Sequence, residues 1–166
     1  MNKTRRSDLM KQLFMKQLVS SGKDNYTIKD RRGKELYTVT LDDLEVGDFI
    51  SISNCRKEPV LLVKQDEENE LKKFVVYSDN QELIAVEFND LTKECTAMSN
   101  ELAIIGDLLE MTFDVMYGYR KVGKVRKRWV SSEDTYEMTI FESDRESEII
   151  GLATVLGFAQ YYKKIA

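Results

Sequence analysis

The chain has 166 residues, the size of one domain, and its 42% hydrophobic and 33% charged residues fit a folded domain with a sizeable core rather than a disordered segment. Its 25 basic and 29 acidic residues give a net charge of -4, which excludes a globally basic nucleic-acid coat and confines any anion site to a local patch. Histidine is absent, and with it the commonest general base, the commonest zinc ligand and every Ser-His or Cys-His nucleophilic pair.

Behind the basic start, Met1 to Asp8, residues 9–19 are broken by Lys11, Gln12, Lys16 and Gln17, so no apolar run of signal-peptide length follows. Cys55 and Cys95 stand far apart with no second cysteine near either, which is neither a metal spacing nor a disulfide framework. These features predict a cytoplasmic protein with two reduced thiols and no metal or cofactor.

From residue 9 to about 142 the chain reads as short runs of β-branched, aromatic and aliphatic residues punctuated by Gly, Asn, Asp and Ser, an all-β pattern. Twelve strands are predicted, over 9–19, 25–29, 35–40, 48–53, 60–64, 71–77, 82–88, 92–97, 101–105, 108–117, 119–129 and 135–141. Asp30-Arg31-Arg32-Gly33 has the chemistry of a type I turn followed by a left-handed residue, and Ser78-Asp79-Asn80 is a short polar link. Both predict hairpins.

After Asp144 the composition changes. Residues 149–162 are apolar on every side of a helical projection, interrupted only by Gly151, Thr154, Gly157 and Gln160. Ser143 and Glu146 have capping-box spacing, Glu146 and Glu148 suit the positive end of a helix, and Lys163 and Lys164 suit the other. At ~1.5 Å per residue the apolar run reaches about 21 Å against a hydrocarbon core of ~30 Å, so it is too short to span a membrane. A helix over 146–162 without a polar face must therefore be surrounded by protein, and about twelve antiparallel strands can close into a barrel around it. The expected architecture is one domain over 1–166: a mainly β, closed antiparallel barrel with a central hydrophobic C-terminal helix. Residues 16–26 also echo 127–136, with Ser-Ser, a nearby Asp and a restart at Tyr in each, as a repeated hairpin would.

Leu13-Phe14-Met15-Lys16-Gln17, Tyr26-Thr27-Ile28-Lys29-Asp30 and Gly33, together with Lys124-Val125-Arg126-Lys127-Arg128-Trp129-Val130, Asp134-Thr135-Tyr136-Glu137 and the final apolar helix, resemble the LURP-one-related proteins. The bacterial members of that family belong with the tubby C-terminal domain and the phospholipid scramblases. The resemblance covers 9–40 and 119–162 and is weak between. It implies a twelve-stranded barrel around a hydrophobic helix. For function the resemblance gives less: tubby domains are associated with phosphoinositide head groups and scramblases with lipid movement and calcium, while most bacterial LURP-one-like proteins have no assigned activity, so the biological role stays unassigned. Lipid scrambling is not expected, because the extra membrane segment of a scramblase has no counterpart here.

The basic residues are unevenly placed: six basic and no acidic residues lie in 119–129, five basic and one acidic in 1–16, but 11 basic and 21 acidic in 17–118. Strand alternation puts Lys124, Arg126 and Arg128 on one face, with Val125 and Trp129 toward the interior. Such a row of cations can hold anionic head groups, helped by Lys3, Arg5 and Arg6. The plainer and favoured reading of the row is a solvated strand face that discourages edge pairing, with a head-group or other polyanion site second and nucleic acid third. Asp42-Asp43-Leu44-Glu45 and 66–70 lack a calcium-loop order and read as solvated acidic loops, and Asp134 reads as ordering its own turn. Tyr117, Tyr119, Tyr161, Tyr162 and Trp129 raise the question of base stacking, but ordinary packing with the hydroxyl reaching water suits them better. The favoured function is a non-enzymatic barrel that contacts an anionic lipid surface or a protein partner. The alternatives are an enzyme using carboxylates or tyrosine, for which no catalytic residue can be named, and a single-stranded nucleic-acid binder. A deep cleft lined by convergent carboxylates would favour the enzyme.

Overall fold

The computed structural model describes residues 10–16, 25–41, 49–68, 71–130 and 133–165. Twelve strands lie among them: Lys11–Lys16 (β1), Asn25–Asp30 (β2), Glu35–Leu41 (β3), Phe49–Asn54 (β4), Pro59–Glu68 (β5), Leu71–Ser78 (β6), Gln81–Asn89 (β7), Cys95–Met98 (β8), Leu102–Asp107 (β9), Thr112–Tyr117 (β10), Arg120–Val130 (β11) and Glu133–Ile140 (β12). They form one antiparallel sheet in the order β8-β7-β6-β5-β4-β3-β2-β1-β12-β11-β10-β9. Every pair of consecutive strands is hydrogen-bonded except β8 and β9, and β1 zips against β12, so the sheet curls into a nearly closed barrel.

Local chemistry fixes the hairpins. Asp30 accepts the backbone N–H of Gly33 and its carboxylate accepts those of Arg32 and Lys34, while Gly33 takes φ +83°, the left-handed value that its lack of a side chain permits. Asp79 and Asn80 both have positive φ between paired Ser78 and Gln81, a two-residue turn whose twist matches the strands it joins. One turn gave no such signal. Met111 is fully buried at φ +54°, so 108–111 is a turn and β10 starts only at Thr112; the apolar residues there read as strand.

Inside the ring, alternate residues are sealed from water: Leu13 and Met15 on β1, Tyr136, Met138 and Ile140 on β12, and Val125 on β11 are all 0% exposed. The space they enclose is filled by the C-terminal helix. A short 3-10 turn, Ser143–Arg145, leads into Glu146–Ile165 (α1), whose Ile149, Ile150, Leu152, Ala153, Val155, Leu156 and Phe158 are buried on all sides. Each such large side chain contributes about 1.5–3 kcal/mol by leaving water. No helix among the described residues is long and apolar enough to cross a membrane. Phe158 meets Phe74 edge-on, with centroids 6.1 Å apart. A Cβ on Gly151 would lie 2.6 Å from Cγ1 of Val76, so the helix backbone there touches the wall directly.

The expected Ser143–Glu146 capping box does not form. The chain enters α1 through the 3-10 turn, whose N-cap Glu142 makes no side-chain cap bond, and the Glu146 carboxylate is taken by Lys11 and Tyr37 on the barrel wall. In the echo between 16–26 and 127–136, residues 17–24 and 131–132 lie outside the described residues, as do Asp42, Asp43 and Glu45, while 127–130 and 133–136 belong to β11 and β12. Residues 66–68 are not loop but the end of β5, with Asp66 and Glu67 opposite Lys73 and Lys72.

Candidate functional site

The basic row lies on β11, between β10 and β12. Lys124 stands opposite Asp114 and Thr139, Arg126 opposite Glu137, and Arg128 opposite Thr135. All three alternate with fully buried Val125, as the period of two requires. They do not form an open row of cations. The Arg126 guanidinium donates to Asp114 Oδ1 at 2.7 Å and to the carbonyl oxygens of Phe113 and Val125 at 2.8 Å each, a fixed fork. Lys121 takes the other oxygen of Asp114 at 3.1 Å. Arg128 pairs with Glu137, which also accepts from Gln12 Nε2 at 2.7 Å. Glu137 points outward yet is only 6% exposed, beneath these flanking side chains. Lys124 makes no ion pair among the described residues. Burial would raise the pKa of Asp114, but the hydrogen bonds and charges of Arg126 and Lys121 outweigh it and hold the carboxyl below its ordinary value. Lys3, Arg5 and Arg6 and the side chains of Trp129, Asp134, Tyr161 and Tyr162 lie outside the described residues.

A second polar cluster, absent from the sequence reading, rings the helix entrance. Glu146 accepts from Lys11 Nζ at 3.0 Å and from the Tyr37 hydroxyl. Burial, then the hydrogen bond and charge of Glu146, push the Tyr37 phenol above its usual range. Arg145 bridges Glu101 at 2.7 Å and Glu148 at 3.2 Å, and its guanidinium lies 4.7 Å from the centre of the Tyr117 ring. Arg120 also reaches that ring and pairs with Glu142. Burial raises the pKa of Glu148, while Arg145 opposes the rise. The partners of Glu146 are 135 and 109 residues away in the chain, so no local spacing could have announced them. Tyr119, at the tip of the same turn as Tyr117, is fully exposed rather than packed.

A groove of about 300 Å³ on the flank of β6 and β7 is lined by Lys73, Glu82, Ala85, Met98 and Asn100, among others. Glu82 is its single carboxylate, so the groove is not a cleft lined by convergent carboxylates. Among the described residues no group of three or more Cys, Asp or Glu could hold a metal ion. Both cysteines are free. Cys55 is exposed, whereas burial pushes the Cys95 thiol up to about 11.

A ring of antiparallel strands wrapped around an apolar helix, with its polar groups on the wall and at the helix entrance, defines a barrel whose interior is core rather than cavity. The chain belongs to the LURP-one-related family, which matches residues 11–157. Its fold is similar to the X-ray structure of a protein from Arabidopsis thaliana, with a TM-score of 0.55 and 14% identity, covering 87% of this chain and 91% of that one. No curated protein matches.

Proposed function

We propose that the domain is a non-catalytic cytoplasmic binding module that uses the outer face of β10, β11 and β12 to hold anionic phospholipid head groups weakly and reversibly. The observation that carries this reading is a local charge imbalance among the described residues: Lys121, Lys124, Arg126 and Arg128 share two carboxylates there, Asp114 and Glu137, and Lys124 makes no ion pair. A barrel filled by its own helix leaves its outside for ligands, which supports the non-catalytic part. Tubby domains, with which the resemblance groups the bacterial LURP-one-related proteins, are associated with the same ligand class, and the free thiols suit a reducing compartment.

Sedimentation with vesicles tests it. The protein should pellet with vesicles rich in phosphatidylserine and not with neutral ones, and the pelleted fraction should fall as salt shortens the Debye length. Lys124→Ser removes a cation that holds no carboxylate, so it should weaken binding about fivefold, the worth of ~1 kcal/mol per surface cation, without moving the melting temperature. Replacing Lys124, Arg126 and Arg128 together with Ser should abolish pelleting, but it also uncovers Asp114 and Glu137 and should lower the melting temperature. Equal pelleting of wild type and Lys124→Ser would sink the proposal.

A further inference from the structure

The ring is interrupted at one place, between β8 and β9. These strands follow one another in the chain, yet neither edge has a main-chain partner among the described residues. On the inner side of this seam Cys95, Ala97 and Ile104 are only half-buried, although their cross-strand partners Phe88, Val86 and Val115 are 7%, 0% and 1% exposed. On the outer side Met98 and Ile105 are 39% and 60% exposed. An exposed edge is normally blunted with lysine or proline, and the sequences CTAM of β8 and LAIIGD of β9 contain neither. The chain around the seam is acidic: 87–110 holds six acidic residues and one basic residue, Lys93, and although Asp90 and Glu101 are paired with Lys72 and Arg145, Glu87, Glu94, Asp107 and Glu110 are left.

We propose that this seam receives an extended, basic segment of a partner protein, which adds as a strand to the open edge. Apart from the Leu102 N–H, which donates to the Ser99 hydroxyl, the edge N–H and C=O groups without a main-chain partner fit the main chain of such a segment, small apolar side chains on one face of it fit against Cys95, Ala97 and Ile104, and Lys or Arg on the other face meets Glu94, Asp107 and Glu110. A second copy of this chain is the poorer fit, because pairing seam to seam brings acids against acids. Anionic lipid is excluded from the seam by the same charge. The proposal concerns a different face from the basic one and does not depend on it.

The test uses the full chain and a fluorescein-labelled peptide of alternating valine and lysine. Its controls are the same peptide with glutamate for lysine, and a valine–lysine peptide N-methylated at alternate residues so that one edge cannot donate hydrogen bonds. The basic peptide should raise anisotropy on binding, slow hydrogen exchange at 95–98 and 102–107, and slow alkylation of Cys95 while leaving Cys55 unchanged. The acidic peptide should not bind, and the methylated one should bind more weakly. Glu94 and Glu110 are exposed and make no ion pair among the described residues, so Glu94→Lys with Glu110→Lys should leave the melting temperature in place. That pair of changes should weaken the basic peptide by roughly tenfold. Absence of binding, binding that ignores N-methylation or leaves the β8 and β9 amides unprotected, or self-association of the protein in place of peptide uptake would each overturn the proposal.

Discussion

Asp114 organises the outer face of β10 and β11 by accepting Arg126 and Lys121 at once, and its lowered pKa ties that face to acid stability. Below its ordinary value of 3.8 the unfolded chain binds the proton more readily than the native one, so this contribution is complete above 3.8 and is lost as pH falls through the lowered native value. Glu148 has the opposite sign. Its native pKa is raised above 4.5, mainly by burial, so the native chain holds the proton longer and stability declines as pH rises from 4.5 through the raised value. Thermal melts across pH should therefore show that Asp114→Asn flattens the loss below 3.8, and that Glu148→Gln removes part of the decline above 4.5. Unchanged profiles would mean that neither carboxyl titrates with folding. The row Lys124, Arg126, Arg128 was legible because alternation is a local property of a strand. Its partners were not, because Glu137 comes from another strand and Asp114 from across a hairpin with a bulge between Val115 and Met116.

Among the elements, α1 was readable from composition alone, since a segment with no polar face has no stable place in water. What composition could not give was the wall it touches. Gly151 sits where Val76 leaves no room for a side chain. Gly151→Leu should cost about 1–3 kcal/mol through overpacking, measured by chemical denaturation; a neutral result would mean that the helix has room to shift away from β6. The capping box failed as an expectation for a related reason. Its spacing assumes a helix start in water, whereas Glu146 is 9% exposed and finds Lys11 and Tyr37 on the wall. Strand edges were read well where turns carry Gly, Asn or Asp, as at 30–33 and 78–80. They were read poorly at 108–111, where a left-handed Met111 is stabilised by burial rather than by residue type.

For the whole molecule, the helix is the core on which the strands pack, so a chain ending at Asp144 should lose its cooperative melt and its near-ultraviolet signal. A sharp melt for that truncated chain would show that the ring supports itself without α1. The same arrangement bears on synthesis. Most strand pairs are hairpins that can form as the chain emerges, but β1 closes only against β12, joining residues such as Gln12 and Glu137 that are 125 positions apart, and the filling of the ring comes later still. A ribosome making this protein releases the wall before the contents. Until β12 and then α1 are out, the nascent chain carries an unclosed β1 and an inner face that is still wet, the state in which growing chains most need a chaperone.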